Sequence, residues 1–458
     1  MNRTFKVAKS LTRGVVVTSE KASSYQGKAV KTVVAAAVAG VIAAVGGSAF
    51  AAKTTVDDLY LEAGASIVKD KDNTTAVING TAYVDDKKTK WDADKYQHSA
   101  DTKLHLNNAT VTIDSTGTTG YFVMERGGVT GTGTISITAG EGAGDHQVGL
   151  GSTGAVKLDD ADITLAYSAT KGKESNVEFE SAVNGFEIKG GTITVKTTAA
   201  AEADHNAEKA YGLLHSKGDM TLGHQVETND IFDTDSTVKL VVAEGAQARI
   251  QVDDVTGTDN GGEAAAQTGT LNLENVVFAN AGTLKLTASQ INLDSAFNAA
   301  DNAGKTVFEG NTTIGENFAG SVVEMNTAAK ADKTSKQVFT GNVTVDAGAA
   351  FSADKLTVGN GTLTVKGEAN NVGAGTLSVG EGVFTSGSHS FSGAETFDKL
   401  TIGNTASGAT NAVTVTVGAG TLNVADTLTL KGNAGEKSTS GTATLVLNGG
   451  ETMVKALC

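Results

Sequence analysis

One phrase keeps returning along this chain: glycine, threonine, then apolar-polar-apolar. It stands at Gly133–Ile137, Gly191–Val195, Gly269–Leu273, Gly282–Leu286, Gly361–Val365, Gly375–Val379 and Gly420–Val424. Each copy is a turn residue followed by a short alternating run, the pattern of a half-buried strand. A longer echo links Asp354-Lys355-Leu356-Thr357-Val358-Gly359-Asn360 to Asp398-Lys399-Leu400-Thr401-Ile402-Gly403-Asn404, 44 residues later. That offset reads as two coils of about 22 residues, near the length of short solenoid repeats. Short strands, glycine turns and a loose repeat are what a parallel β-solenoid requires, with Val, Ile and Leu stacking inward and Thr, Ser, Asn, Lys and Asp facing out. Helical periodicity is hard to find outside Ala199–Tyr211, which reads as an inserted loop or a helical turn. Sustained apolar heptads of a coiled-coil stalk are absent.

Composition sharpens this. None of the 458 residues is proline, whereas ordinary usage of ~5% predicts about 23. In a stack of parallel strands nearly every strand N–H is donated to a neighbour, and proline has none. The architecture explains depletion; that the loops obey it too has no structural account. Collagen and proline-rich linkers are excluded, and the single cysteine, Cys458, excludes an internal disulfide framework. An apolar fraction of 40% is enough for a core.

The first 31 residues carry Arg3, Lys6, Lys9, Arg13, Lys21, Lys28 and Lys31 against Glu20 alone. An uncharged run, Thr32–Val45, follows; it is shorter than the ~20 residues a bilayer span needs. Ala49-Phe50-Ala51 then places small residues where a signal peptidase reads. Cleavage is expected between Ala51 and Ala52, with Ala49 as the other small residue of the site. Removing this segment takes seven of the 36 basic and one of the 51 acidic residues, leaving net −21 and two arginines, Arg126 and Arg249. Nucleic acid is therefore not an expected partner. The acidity suits a self-repelling extracellular surface.

The text of that segment is specific. Asn2-Arg3-Thr4-Phe5-Lys6-Val7, then Val15-Val16-Val17-Thr18-Ser19-Glu20, then Gly27-Lys28 resembles the extended signal peptide region of Gram-negative autotransporters and related large surface proteins. The family's tryptophan is missing; Ala8-Lys9 stand in its place. The resemblance implies export through the inner membrane and then an outer-membrane translocation pore, to the cell surface or beyond. It also implies a C-terminal membrane barrel, and the sequence instead runs through Gly-Thr repeats to Lys455-Ala456-Leu457-Cys458 with no series of amphipathic barrel strands. Three accounts are expected to compete: a truncated or frame-shifted passenger, a passenger served by a separate pore protein, or a stand-alone extracellular structural protein. The abrupt end favours truncation, with a terminal thiol for dimerisation as the alternative role of Cys458.

Motifs for catalysis are absent: no His-Glu-x-x-His, no Gly-x-Ser-x-Gly, no phosphate-binding glycine loop. The histidines His98, His105, His146, His205, His215, His224 and His389 are scattered and read as loop residues. Adjacent carboxylates stand at Asp57-Asp58, Asp85-Asp86, Asp159-Asp160 and Asp253-Asp254; solvated loops are the expectation, with calcium binding or catalysis as rivals. Glu141-Gly142-Ala143-Gly144-Asp145 resembles one copy of the glycine-aspartate calcium repeat, which works only in tandem. Thr-x-Thr pairs at Thr110/Thr112, Thr192/Thr194, Thr362/Thr364, Thr414/Thr416 and Thr427/Thr429 raise the thought of a flat hydroxyl array, but threonine is also what any exposed strand prefers.

The expected organisation is all-β. A parallel β-solenoid (right-handed β-helix) over 102–458 follows an extended signal peptide over 1–51 and an N-terminal cap or irregular region over 52–101, which holds Tyr60, Trp91 and Tyr96. About 18 coils of ~22 residues would make a rod of ~90 Å, cored mainly by small aliphatics. The expected function is adhesion or aggregation through an extended surface, self-association included, with no catalytic residue, cofactor or metal and with a host or bacterial ligand that the sequence does not name. A polysaccharide-acting solenoid enzyme is the alternative, and Asp and Lys converging from three neighbouring coils would favour it. A surface-layer or matrix protein is the other.

Overall fold

Alternation and strand formation coincide throughout the computed structural model of the chain. In Gly191–Thr197, Ile193 and Val195 are buried while Thr192 and Thr194 are not. Residues 6–10 and 14–18 are described and, from 53 to 458, all but 74, 87, 117–119, 141–145, 171–173, 183–184, 200–208, 227–234, 254–268, 295–303, 316–318, 327–336, 340, 360, 370–371, 404–410 and 433–440. Among them there are strands, turns and no helix. Two units are distinct, Met1–Lys53 and Thr54–Cys458. In the first, Lys6–Ser10 and Gly14–Thr18 pair antiparallel. The apolar run 32–45 and the expected cleavage residues Ala49, Ala51 and Ala52 lie outside the described residues.

The second unit is a large, mainly parallel sheet in which each strand pairs with one a repeat later. One column shows the rule. Leu59, Leu104, Val129, Val156, Phe186, Met220, Leu271, Ile291, Thr312, Val343 and Leu363 pair in turn, and His389, Val415 and Leu445 continue the register. Every member up to Val415 is at most 2% exposed. Fourteen rungs at ~4.8 Å per step span about 60 Å, shorter than the expected ~90 Å. The repeat is uneven: 20 residues separate Leu271 from Ile291 but 51 separate Met220 from Leu271, and register is kept across both steps. The echo at Lys355 and Lys399 does span two rungs, through Glu381.

Two further ladders run beside this one. The second includes Ser66–Lys69, the 133–138 stretch and Gly191–Thr197. The third runs through Gly120–Arg126, His146–Ser152, Ser175–Ser181, Ala210–Lys217 and Gln247–Asp253. The recurring glycine is explained at Gly191, whose φ is +101° and whose added Cβ would lie 2.3 Å from the Ala161 carbonyl oxygen. Only glycine permits both that φ and that approach.

The core is more aromatic than expected. Phe179, Phe186, Phe278, Phe308, Phe339, Phe384, Phe391 and Phe397 are fully buried, and Phe308 stacks on Phe339 with ring centroids 4.5 Å apart. Polar side chains also intrude. Arg126 is 4% exposed and heads an inward column continued by Ser152, Ser181 and Ser216. Its Nη1 donates to the Glu125 carbonyl, while Nε and Nη2 have no partner. Burial pushes its pKa down to about 10. Glu395 takes an inward place between Leu377 and Leu422.

The two ends differ. At the first rung, Ala82–Tyr83 and Val77–Asn79 pair antiparallel with Asp58–Leu61 and Ser66–Lys69. At the last, Ala443–Leu447 and Glu451–Leu457 pair on one side among the described residues, and Leu447 and Leu457 are 57% and 68% exposed.

Candidate functional site

The third ladder gathers a cluster of ionisable side chains. Alternation turns Val177, Phe179, Leu214 and Ile250 inward, so Glu178, Glu180, Tyr211, His215, Lys217, Arg249, Gln251 and Asp253 project from the opposite face. Register then sets Glu180 beside His215 and His215 beside Gln251, with Lys217 beside Asp253. Residues 35 to 38 positions apart in sequence thus meet across neighbouring strands.

His215 is the hub. Its Nε2 lies 2.7 Å from Asp253 Oδ2, and its Nδ1 lies 3.6 Å from Glu180 Oε1, too long for a hydrogen bond but close enough for charge attraction. Lys217 Nζ stands 3.9 Å from the same Glu180 oxygen. Gln251 donates to Asp253 at 3.0 Å, and Gln147 donates to Glu178 at 3.0 Å. Burial opposes protonation of His215, but the Asp253 hydrogen bond and the charges of Glu180 and Asp253 outweigh it, so its pKa is raised. Asp253 moves the other way, held down chiefly by the His215 hydrogen bond. Burial raises the Glu178 carboxyl. Arg249 lies over the Tyr211 ring, 3.8 Å from its centroid.

Comparison with known proteins finds nothing. No family model, curated protein or solved structure matches this chain. What the site does must come from its own chemistry.

With both nitrogens turned toward carboxylates, His215 is a clamp and not a poised base. Of the two arginines outside the N-terminal segment, Arg126 is interior and Arg249 is stacked on Tyr211. No group of three or more His, Cys, Asp or Glu is placed to hold a metal among the described residues.

The residues singled out from the sequence are spread over the fold, and several expectations about them need correction. The histidines are not loop residues as a class: His105, His146, His215 and His389 lie in strands. His389 is core, accepting the Leu363 N–H on Nδ1 at 3.1 Å and donating from Nε2 to the Ser386 carbonyl. His105 meets Asp58 at 2.8 Å and stacks on Tyr60. His98 contacts the Ala76 carbonyl, His224 sits in an isolated backbone bridge with Ser236, and His205 lies outside the described residues. Among the carboxylate pairs, Asp85 caps a turn at Thr89. Asp159 is the extra residue of a bulge, since Gly131 pairs with Leu158 and Thr132 with Asp160. Asp254 and Glu141–Asp145 lie outside the described residues. Threonine pairs do fall in register, as Thr112-Ser136-Thr164-Thr194, yet the column ends at Val241 and its neighbour is broken by Asp162. Another outward column, Thr313-Thr344-Thr364-Ser390-Thr416, keeps its hydroxyls over five rungs before Val446.

Proposed function

We propose that this chain is a parallel β-solenoid exported behind a cleaved N-terminal signal and displayed outside the cell, where its long outer surface adheres to other surfaces or to copies of itself. One observation carries the reading: register holds through fourteen rungs, so outward residues form continuous columns about 60 Å long. Two shorter parallel ladders flanking this one support the solenoid reading, and parallel crossovers are right-handed in almost all proteins. The N-terminal stretch 52–101 acts as its cap, with 77–79 and 82–83 covering strand edges that otherwise invite pairing. Export through an outer-membrane pore agrees with a chain that has no cysteine pair and no proline.

The test is physical. Beads coated with the purified chain should clump, or hold to bacterial or host cells under flow, and cells making the protein should lose it to external protease. Coated beads that behave like albumin-coated beads would overturn the adhesion reading. A polysaccharide-processing enzyme is the second reading, favoured by Glu180, Lys217 and Asp253 converging from three neighbouring strands; release of reducing ends from polysaccharide is its readout.

A further inference from the structure

A buried charge is strongly unfavourable unless a counter-charge meets it, and Arg126 is the charge in this interior that most needs one. It is the last residue of Gly120–Arg126, follows Phe122 and Met124 on the inward face, and is 4% exposed. Register sets Ser152 beside it, then Ser181 and Ser216. Small hydroxyl side chains, not aliphatic bulk, therefore line the interior next to the guanidinium. Ser152 and Ser181 both donate to the Gly154 carbonyl, and neither can supply a negative charge. Burial lowers the Arg126 pKa to about 10, which leaves the group charged at neutral pH.

The unsatisfied donors have a definite shape. Nη1 donates to the Glu125 carbonyl, whereas Nε and Nη2 are buried without a partner. Those two nitrogens form one edge of the planar guanidinium, and an N–H of each runs parallel to the other. That edge is the fork a carboxylate meets with both oxygens.

The surroundings add positive charge. Lys69 Nζ donates to the Val123 carbonyl at 2.6 Å and stands 4.8 Å from the Phe122 ring centroid. His98 Nε2 meets the Ala76 carbonyl at 2.8 Å. In both residues burial and then the Arg126 charge lower the pKa, so both lie within electrostatic reach of the guanidinium. The neighbouring carboxylates, Glu125 in sequence and Asp101 beside Gly127, are exposed. Unpartnered donors in a parallel pair, small neighbours and a positive field together call for an anion.

We propose that the Nε/Nη2 edge of Arg126 binds one small carboxylate-type monoanion inside the N-terminal end of the third ladder, with Lys69 and His98 adding to the attraction. Two oxygens on one edge match the fork, one negative charge matches the guanidinium, and formate-sized bulk matches a serine-lined interior. The ion fastens the cap to the solenoid, because Lys69 and His98 belong to the stretch 52–101 and Arg126 to the third ladder.

Hydrogen exchange of the full chain tests it, at about pH 7.5 where formate is ionised. Sodium gluconate, too bulky to enter, is replaced by formate or chloride up to about 0.1 M at constant ionic strength. In wild type, peptides covering 120–126 should exchange more slowly in formate. Beyond half-saturation each ten-fold rise in formate should slow them by about ten-fold, while peptides covering 413–417 stay unchanged. Chloride, which lacks the paired oxygens, should protect less at equal concentration. Arg126→Met should abolish the formate response, and Arg126→Lys, which keeps the charge without the fork, should lose most of it. In gluconate the Met variant should be the better protected protein, and formate should narrow that difference. Wild type exchanging alike in formate and gluconate would overturn the site whether or not the variants fold. An equal formate response in wild type and Arg126→Met, or equal protection by chloride, would overturn it too.

Discussion

Glu395 gives the sharpest quantitative test of the core. It sits 1% exposed at an inward position whose neighbours above and below are Leu377 and Leu422. Oε1 accepts the Gly393 N–H at 2.9 Å, and Oε2 has no partner. Burial pushes its pKa up to about 7 from an ordinary 4.5. Because the folded-state pKa is raised, the native chain binds this proton more tightly than the unfolded chain. The stability so contributed is full below about pH 4.5 and is lost as pH rises through about 7. At roughly 1.4 kcal/mol per unit, the whole excursion is worth about 3 kcal/mol. Glu395→Gln keeps the shape and removes the titration. The stability gap between variant and wild type should therefore swing by about 2 kcal/mol toward the variant between about pH 5.5 and about pH 8.5. His389 on the same rung also titrates, its pKa lowered first by burial, but it is common to both proteins and cancels. Since rungs can open locally, hydrogen exchange of peptides covering 387–402 is the assay. A gap that does not move with pH would refute the placement of a buried carboxyl there.

Other perturbations have equally definite outcomes. Gly191→Ala, with its added Cβ 2.3 Å from the Ala161 oxygen, should cost about 2 kcal/mol or more and be seen as a lower urea midpoint. Arg126→Met replaces an interior guanidinium that has two unpartnered nitrogens and should stabilise by about 1–3 kcal/mol in the same assay; destabilisation would mean that the charge is compensated. For His215, whose pKa is raised, the stabilisation is present below the ordinary value of 6.5 and lost as pH rises through the folded-state pKa. His215→Gln should abolish that pH dependence of exchange in Ala210–Lys217 and leave it elsewhere.

Much of the fold was legible because its signals are local. The Gly-Thr phrase marks a corner where glycine is sterically required, as at Gly191, and the alternating run after it fixes which face is buried. The echo between Leu356 and Leu400 gave the correct two-rung distance. Coil number was not legible, since steps along one column range from 20 residues at Leu271–Ile291 to 51 at Met220–Leu271. The ionic cluster was hidden for the same reason: Glu180, His215 and Asp253 are 35 and 38 residues apart in turn and become neighbours only once their strands are in register. A signal does exist in hindsight. Phe179-Glu180-Ser181, Leu214-His215-Ser216 and Ile250-Gln251-Val252 share an apolar-polar-small or apolar-polar-apolar ending, and aligning the strands by their buried residues brings the polar members together. Glu395 and His389 were invisible, because a polar residue at an inward position breaks the very alternation used to find strands.

The central claim is in-register stacking of successive repeats, and paired cysteines test it most directly. With Cys458→Ser removing the native thiol, Thr344→Cys and Thr364→Cys fall on adjacent parallel strands directly opposite one another, at a spacing of about 4.8 Å that a disulfide spans. The pair Ser390→Cys and Thr416→Cys repeats the test two rung steps later. Both pairs should close rapidly under mild oxidation, while Thr344→Cys with Thr416→Cys should stay reduced, being three rungs apart. Equal cross-linking of matched and mismatched pairs, or none at all, would contradict the stacked architecture and the surface built upon it.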